Sequence, residues 1–183
     1  MQNKDLLRKK YFFTRKKNYF DIKPSFFSPL IKLIKKIYKK NLNFSIYYPS
    51  YFEVNVLKLI NSNLNKKIKI LLPVVNNSQM QFYKWEPYDS LKINNFGMLE
   101  PFLSSHDIIP DVMLVPLLAF DNQKNRLGYG KGFYDKYLTK YLKSNRKILS
   151  IGIAFSFQNH NKLPVSNHDI KLDYILTEKG LLE

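Results

Sequence analysis

From Arg126 to Asp135 the chain reads Arg-Leu-Gly-Tyr-Gly-Lys-Gly-Phe-Tyr-Asp, with glycine at every second position from 128 to 132. Glycine lets the backbone take positive φ and come close to a ligand. Phe133, Tyr137, Leu138, Tyr141 and Leu142 follow at helical spacing, so the glycines precede a predicted helix that ends near Asn145. The first amides of such a helix and its positive dipole end attract anions. Arg126 supplies a forked cation and Lys131 a point cation, both suited to phosphate oxygens. Asp135, in the first helical turn, is the residue type that holds a hard cation such as Mg2+ against phosphates. The combination points to polyphosphate with magnesium. It is not a Walker A loop, because no Gly-Lys-Ser/Thr follows the glycines. Nor is it a dinucleotide fingerprint, because the spacing is G-x-G-x-G and lies late in the chain. Spacing alone leaves a tight structural turn nearly as good a reading, and Asp135 would equally complement the helix dipole.

Alternating strands and helices must position these groups. Lys4 to about Tyr19 reads as a basic helix that ends before Pro24. Ser28-Pro29 reads as a helix start, with Ser28 capping free amides and Pro29 in the first turn. Leu30, Leu33, Ile34 and Ile37 then form its apolar face, with Lys32, Lys35, Lys36, Lys39 and Lys40 largely elsewhere. Strands are predicted over 44–48, over 68–72 up to Pro73, over 80–85, over 112–115 as the central one, over 148–155 and over 174–177. A helix is expected from about Glu53, carrying Leu57, Ile60 and Leu64, and residues 86–111 read as a long loop. Such an order implies an α/β fold, a mostly parallel central sheet with helices on both faces.

At 183 residues, with no repeat and no Gly/Ser-rich or Pro-rich linker, the chain is expected to form a single domain over 1–183. No apolar run approaches the ~20 residues of a spanning helix. The Lys-rich N-terminus breaks its apolar residues into pairs, unlike a secretory signal, and cysteine is absent. A soluble, cytoplasmic protein that is not held to a membrane is the expectation. Thirty Lys+Arg against 14 Asp+Glu give a net charge of +16. That excess would suit nucleic acid, a membrane surface or a polyanionic small substrate. Abundant Lys, Asn, Ile, Phe and Tyr also suit AT-rich coding DNA, and the lysines are spread rather than collected in one stripe. Composition is the favoured account. His106, His160 and His168 lack metal-ligand spacing.

Residues 111–138, from Asp111-Val-Met-Leu-Val-Pro through the Gly-rich block to Tyr137-Leu138, resemble the signature of the 5-formyltetrahydrofolate cyclo-ligase family. Further pieces resemble that family in order: Lys4-x-x-Leu7-Arg8, Tyr48-Pro-Ser-Tyr-Phe-Glu53-Val54, Leu72-Pro73-Val74 and Phe96-Gly97-x-x-Glu100-Pro101. Ile151 to Gln158, Leu163-Pro164 and His168-Asp169 complete the set. The resemblance implies ATP- and Mg2+-dependent closure of 5-formyltetrahydrofolate to 5,10-methenyltetrahydrofolate, with release of ADP and phosphate. The formyl oxygen is a poor leaving group, so a γ-phosphoryl group activates it before N10 attacks the formyl carbon.

By the same resemblance, Lys4, Asp5, Leu6, Leu7 and Arg8 belong to the nucleotide site, together with Arg126, Leu127, Gly128, Tyr129, Gly130, Lys131, Gly132, Phe133 and Tyr134. Lys131 and Arg126 are the expected catalytic cations. Tyr129 to Phe133 also meet the folate, with Tyr48 as a pocket wall and Glu53 accepting from pterin N–H groups. Asp135 and Asp169 match magnesium-associated acids. The family's Gly-Val pair is replaced by Leu117-Leu118, and its acid and Thr after Glu53-Val54 by Asn55 and Val56. The implied partner is the small folate, with or without a glutamate tail, acting on a monomer and without nucleic acid. Two alternatives stand beside it: an ATP-binding enzyme of this fold with another substrate, and a basic nucleic-acid binder. Trp85 and Tyr83 are candidates for pterin stacking or for the core.

Overall fold

Val112–Pro116 (β6) consists of residues apolar on both sides, which only the middle of a sheet covered on both faces can bury. The computed structural model describes residues 3–38, 41–60, 68–102, 106–144 and 146–183, and in it β6 is the fourth strand of seven. Its neighbours are Leu42–Ser45 (β1) on one side and Leu149–Ile153 (β9) on the other. Beyond β1 lie Ile68–Asn76 (β2) and Gln79–Lys84 (β3); beyond β9 lie Tyr174–Thr177 (β10) and Gly180–Leu182 (β11). The five inner strands are mutually parallel, and β3 and β11 pair antiparallel at the two edges.

Strand alternation divides β6 between two cores. Val112 and Leu114 pack with Phe27, Leu30 and Ile34, the apolar stripe of Ser28–Ile37 (α2) and the turn before it. Met113 and Val115 face the other way, toward Tyr137, Leu138 and Tyr141 of Phe133–Lys143 (α3). The third helix, Lys4–Asn18 (α1), starts at Asn3, whose side chain accepts from the Asp5 amide. Its Leu7 and Tyr11 close a smaller cluster with Leu118, Ala119, Leu127 and Leu163.

Several elements differ from the expectation. Ser28 is the first residue of α2 and caps nothing, because a 3-10 turn over Pro24–Phe27 already leads into the helix. The strand expected at 44–48 ends at Ser45; Ile46 still donates to the Leu71 carbonyl, and the buried Tyr47 extends past the ladder toward the site. No helix starts at Glu53; a 3-10 turn over Val56–Leu59 takes its place, with Asn55 capping the Leu57 amide. Leu64 of that expected helix, the expected helix end at Asn145 and the lysines at 39 and 40 lie outside the described residues. The segment read as a loop contains a hairpin, Leu91–Ile93 (β4) and Leu99–Pro101 (β5).

Strand β2 runs through Pro73 instead of stopping there, for a definable reason. Trp85 donates to the Ile70 carbonyl while Ile46 donates to that of Leu71, so successive residues of β2 face β3 and β1 in turn. Pro73 falls on the β1 side, where β1 has already ended at the Ser45–Leu71 pair. Its missing N–H therefore costs no ladder bond. Val75, next on that side, donates to Glu100 at 3.2 Å and so fastens the β4–β5 hairpin to the sheet.

Candidate functional site

After β6 the chain crosses to β9, and after β1 it crosses the opposite way to β2. Between β6 and β1 the connections therefore diverge, leaving a crevice beyond the carboxyl ends of the two strands. The segments leaving them are residues 46–53 and the run from Leu117 to Gly132. Together with Lys4 and Arg8, the β2 residues Pro73 and Val75, and the β4–β5 hairpin, they line a cleft of about 320 Å3. Tyr48, Glu53, Arg126 to Asp135 and Asp169 all lie on its wall, so sequence-distant expectations converge on one place.

The Gly-rich turn rests on a braced hairpin. Ala119–Phe120 (β7) pairs with Arg126–Leu127 (β8), and Asp121 closes the turn between them. The buried Asp121 carboxylate accepts from the amides of Gln123, Asn125 and Leu163 and from the Asn125 side chain. Beyond β8, Gly130 (φ 98°) and Gly132 (φ 68°) take conformations that a side chain would strain, and Gly132 is the N-cap of α3. A methyl at Gly130 would also lie 3.2 Å from the Arg8 guanidinium carbon. Arg8 itself donates to the Gly128 carbonyl at 3.0 Å and pairs with Asp5 at 2.5 Å. The first turn of α3 thus meets the cleft beside Lys4, Arg8, Arg126 and Lys131, a setting for phosphate oxygens.

Arg126 and Lys131 differ in freedom. Arg126 bonds the Ile170 carbonyl at 3.2 Å and pairs with Asp135 at 3.0 Å. Lys131 is exposed, with its ammonium 5.7 Å from the centre of the Phe96 ring. Among the described residues of the expected Lys4-to-Arg8 segment, Lys4 and Arg8 alone reach the cleft. Asp5 serves Arg8, Leu6 is exposed, and Leu7 is core.

The two expected metal acids are already engaged. Asp135 accepts from Arg126 and from the Ile170 amide. Asp169 accepts from Lys4 at 2.6 Å and from the Ser166 amide and hydroxyl, all through one carboxylate oxygen. Burial alone would raise the Asp169 carboxyl, but the Lys4 and Ser166 hydrogen bonds hold it below the usual range. Among the described residues, no three His, Cys, Asp or Glu side chains gather as a metal centre. Asp169, with its second oxygen open, fits a cation carried in by phosphates better than Asp135 does.

Glu53 also lines the cleft and is otherwise buried. One carboxylate oxygen accepts from the Ser50 amide at 2.9 Å and the other from the Tyr129 hydroxyl at 2.5 Å. Burial pushes its carboxyl up, while Arg15 and the hydrogen bonds from Tyr129 and Ser50 pull it back. Tyr129 exposes its ring to the cleft but keeps its hydroxyl enclosed, and burial with the neighbouring Glu53 pushes that hydroxyl well up. Tyr51 and Phe52, at φ 47° and 64°, bend the segment between Tyr48 and Glu53; left-handed backbone without glycine costs about 1 kcal/mol per residue or more.

Other candidates go elsewhere. Trp85 and Tyr83 are buried off the cleft. His106 and His168 are exposed, whereas His160 meets the Tyr11 hydroxyl at 2.9 Å. Sequence reasoning missed Arg15, which bonds Tyr129, and the wall residues Tyr51, Met80 and Asn94. Only the Phe96-to-Pro101 piece signalled that the hairpin belongs to the site.

The profile of the 5-formyltetrahydrofolate cyclo-ligase family matches residues 4–178. The chain is 31% identical over 153 residues to the Haemophilus influenzae 5-formyltetrahydrofolate cyclo-ligase, covering 80% of each. It is 30% identical to a probable 5-formyltetrahydrofolate cyclo-ligase of Schizosaccharomyces pombe, covering 71% of each. The solved structure of an Aquifex aeolicus 5,10-methenyltetrahydrofolate synthetase superposes with a TM-score of 0.74 at 31% identity, over 97% of this chain and 91% of that one. A Mycoplasma pneumoniae 5,10-methenyltetrahydrofolate synthetase shares the fold, with a TM-score of 0.68 at 24% identity, over 97% of this chain and 99% of that one. Matched over nearly its whole length and closed around one cleft at the switch point of its sheet, the chain belongs to the 5-formyltetrahydrofolate cyclo-ligase family.

Proposed function

We propose that the cleft holds ATP and 5-formyltetrahydrofolate side by side and closes the folate ring to 5,10-methenyltetrahydrofolate, releasing ADP and phosphate. The observation carrying this reading is the meeting of two chemistries in one cavity: Lys4, Arg8, Arg126 and Lys131 with the α3 N-terminus, together with Glu53 and Tyr48. The cations and helix amides bind triphosphate, while Glu53 accepts from pterin N–H groups. The Gly-rich turn between them brings the γ-phosphoryl group to the formyl oxygen. Oxygen attacks phosphorus and ADP departs; N10 then attacks the formyl carbon and gives up its proton to solvent, and the C–O bond breaks as phosphate leaves. Lys131 and Arg126 offset charge that moves onto phosphoryl oxygens, where positioning and electrostatics supply most of the catalysis.

Mg2+ would be held by the phosphates, with Asp169 as a nearby acid and Asp135 mainly orienting Arg126. When bound, it neutralises phosphate charge. The cleft is lined within one chain, so a monomer suffices. The test is to incubate folded protein with 5-formyltetrahydrofolate, ATP and Mg2+ and follow the near-UV absorbance of the methenyl product. Product dependent on every component is expected; none in any combination would remove the assignment.

A further inference from the structure

Arg15 is a cation on a helix otherwise lined with solvated lysines, yet it is 1% exposed. It does not pair with a carboxylate directly. One guanidinium nitrogen donates to the Leu117 carbonyl at 3.1 Å. Another donates to the Tyr51 carbonyl at 2.8 Å and to the Tyr129 hydroxyl at 2.6 Å. Tyr129 in turn donates to Glu53. Arg15 therefore grips both parts that present Glu53: the bend at Tyr51 with its left-handed backbone, and the hydroxyl bonded to the carboxylate. A buried arginine with so specific a set of partners is costly to keep, since its charge is answered only by carbonyls and by Glu53 through one intermediary.

We propose that Arg15 is a positioning residue of the folate subsite: through Tyr51 and Tyr129 it holds the Glu53 carboxylate in place on the cleft wall. The proposal rests on the reading of Glu53 as the acceptor for pterin N–H groups. The groups facing Glu53 are Arg15 from α1, Tyr129 from the Gly-rich turn, Tyr47 from the segment after β1 and Tyr134 from α3. Arg15 is the cation among them, so nothing else in that set replaces its charge. Burial already raises the Glu53 carboxyl with the relay in place, and without it Glu53 takes up a proton at still higher pH. Protonation turns one Glu53 oxygen into a donor, which pterin N–H groups cannot use.

The test uses the full chain as Tyr129→Phe, Arg15→Met, Arg15→Lys and the Tyr129→Phe/Arg15→Met double variant, with KM for 5-formyltetrahydrofolate and for ATP measured from pH 5 to 9. Tyr129→Phe should raise the folate KM about tenfold, the loss of one charged hydrogen bond, and leave the ATP KM within about twofold. The acid limb of the folate profile should move to higher pH. Arg15→Met should do the same, Arg15→Lys should restore part of the loss, and the double variant should be no worse than the worse single one. Tyr129→Phe deletes one hydroxyl and keeps the ring, so it carries the test even if Arg15→Met loses the fold. An unmoved acid limb, or folate and ATP KM rising together, would overturn the proposal. Wild-type turnover of the folate is read in the same assay, so loss of the underlying reading shows separately as an inactive wild type.

Discussion

Lys131 stands on the Gly-rich turn with an exposed ammonium beside Phe96, whereas Arg126 is held by Asp135 and the Ile170 carbonyl. An exposed point charge on a flexible side chain can reach phosphoryl oxygens as charge moves onto them, so removing it should be felt in the chemical step. Lys131→Ala is expected to lower kcat/KM by about 10²-fold or more, and exposed His106→Ala should leave it unchanged. Equal losses at both positions in the methenyl assay would show that the cations are ranked wrongly. The Gly-rich cations could be read from the sequence because they share one short, dense block. Arg15 could not: Arg8, Lys9, Lys10, Lys16 and Lys17 surround it on the same helix, and only tertiary packing decides which cation is buried. Glu53 was found by resemblance but set at the start of a helix; the bend at Tyr51 and Phe52, with no glycine to announce it, holds it instead.

At the level of elements, the apolar runs of β6 and β9 were legible because strands buried on both faces leave continuous hydrophobic sequence. The β4–β5 hairpin was not, since its strands are three residues each and partly exposed. Its attachment depends on Glu100 bonding Val75 and Asn94. Packing between β9 and its neighbours makes a sharp prediction at Gly152. A methyl there would lie 2.6 Å from Ile175 Cδ1 and 2.8 Å from both Leu117 Cδ2 and Leu172 Cδ1. These are side-chain ends, but they belong to a closed core, so Gly152→Ala should cost about 1–3 kcal/mol in urea unfolding; a neutral result would mean that core is loose. The tie between α1 and Asp169 predicts a pH signature. The Asp169 carboxyl is held down in the folded state, so its contribution is present above the ordinary carboxylate range and is lost as pH falls through the lowered value. Asp169→Asn should therefore cost under about 1 kcal/mol at pH 7, as for a partly buried single pair. At about pH 2 it should match the wild type, and a deficit unchanged between the two would exclude the ion pair as its source.

For the whole molecule, 30 Lys+Arg against 14 Asp+Glu leave a net charge of +16 on 183 residues. The acids that make ion pairs among the described residues are spread singly over the surface and the cleft: Asp169 with Lys4, Asp5 with Arg8, Asp21 with Lys58, Glu86 with Lys84, Glu100 with Lys92, Asp111 with Arg146 and Asp135 with Arg126. Most of the positive charge is therefore not answered by a neighbour, and the folded state holds like charges closer than the unfolded chain does. Salt should relieve that repulsion more than it weakens the few pairs. Raising NaCl from about 0.05 to 0.5 M shortens the screening length to under about 5 Å, and Tm is expected to rise by a few degrees. The same change should raise the KM for ATP, because the field that gathers a polyanion at the cleft is the one being screened. The two readouts separate the sources of the effect. A Tm that falls with salt would mean that attractive pairs outweigh the repulsion. A KM for ATP that does not move would mean that the excess charge plays no part in collecting the nucleotide, leaving that work to Lys4, Arg8, Arg126 and Lys131 at close range.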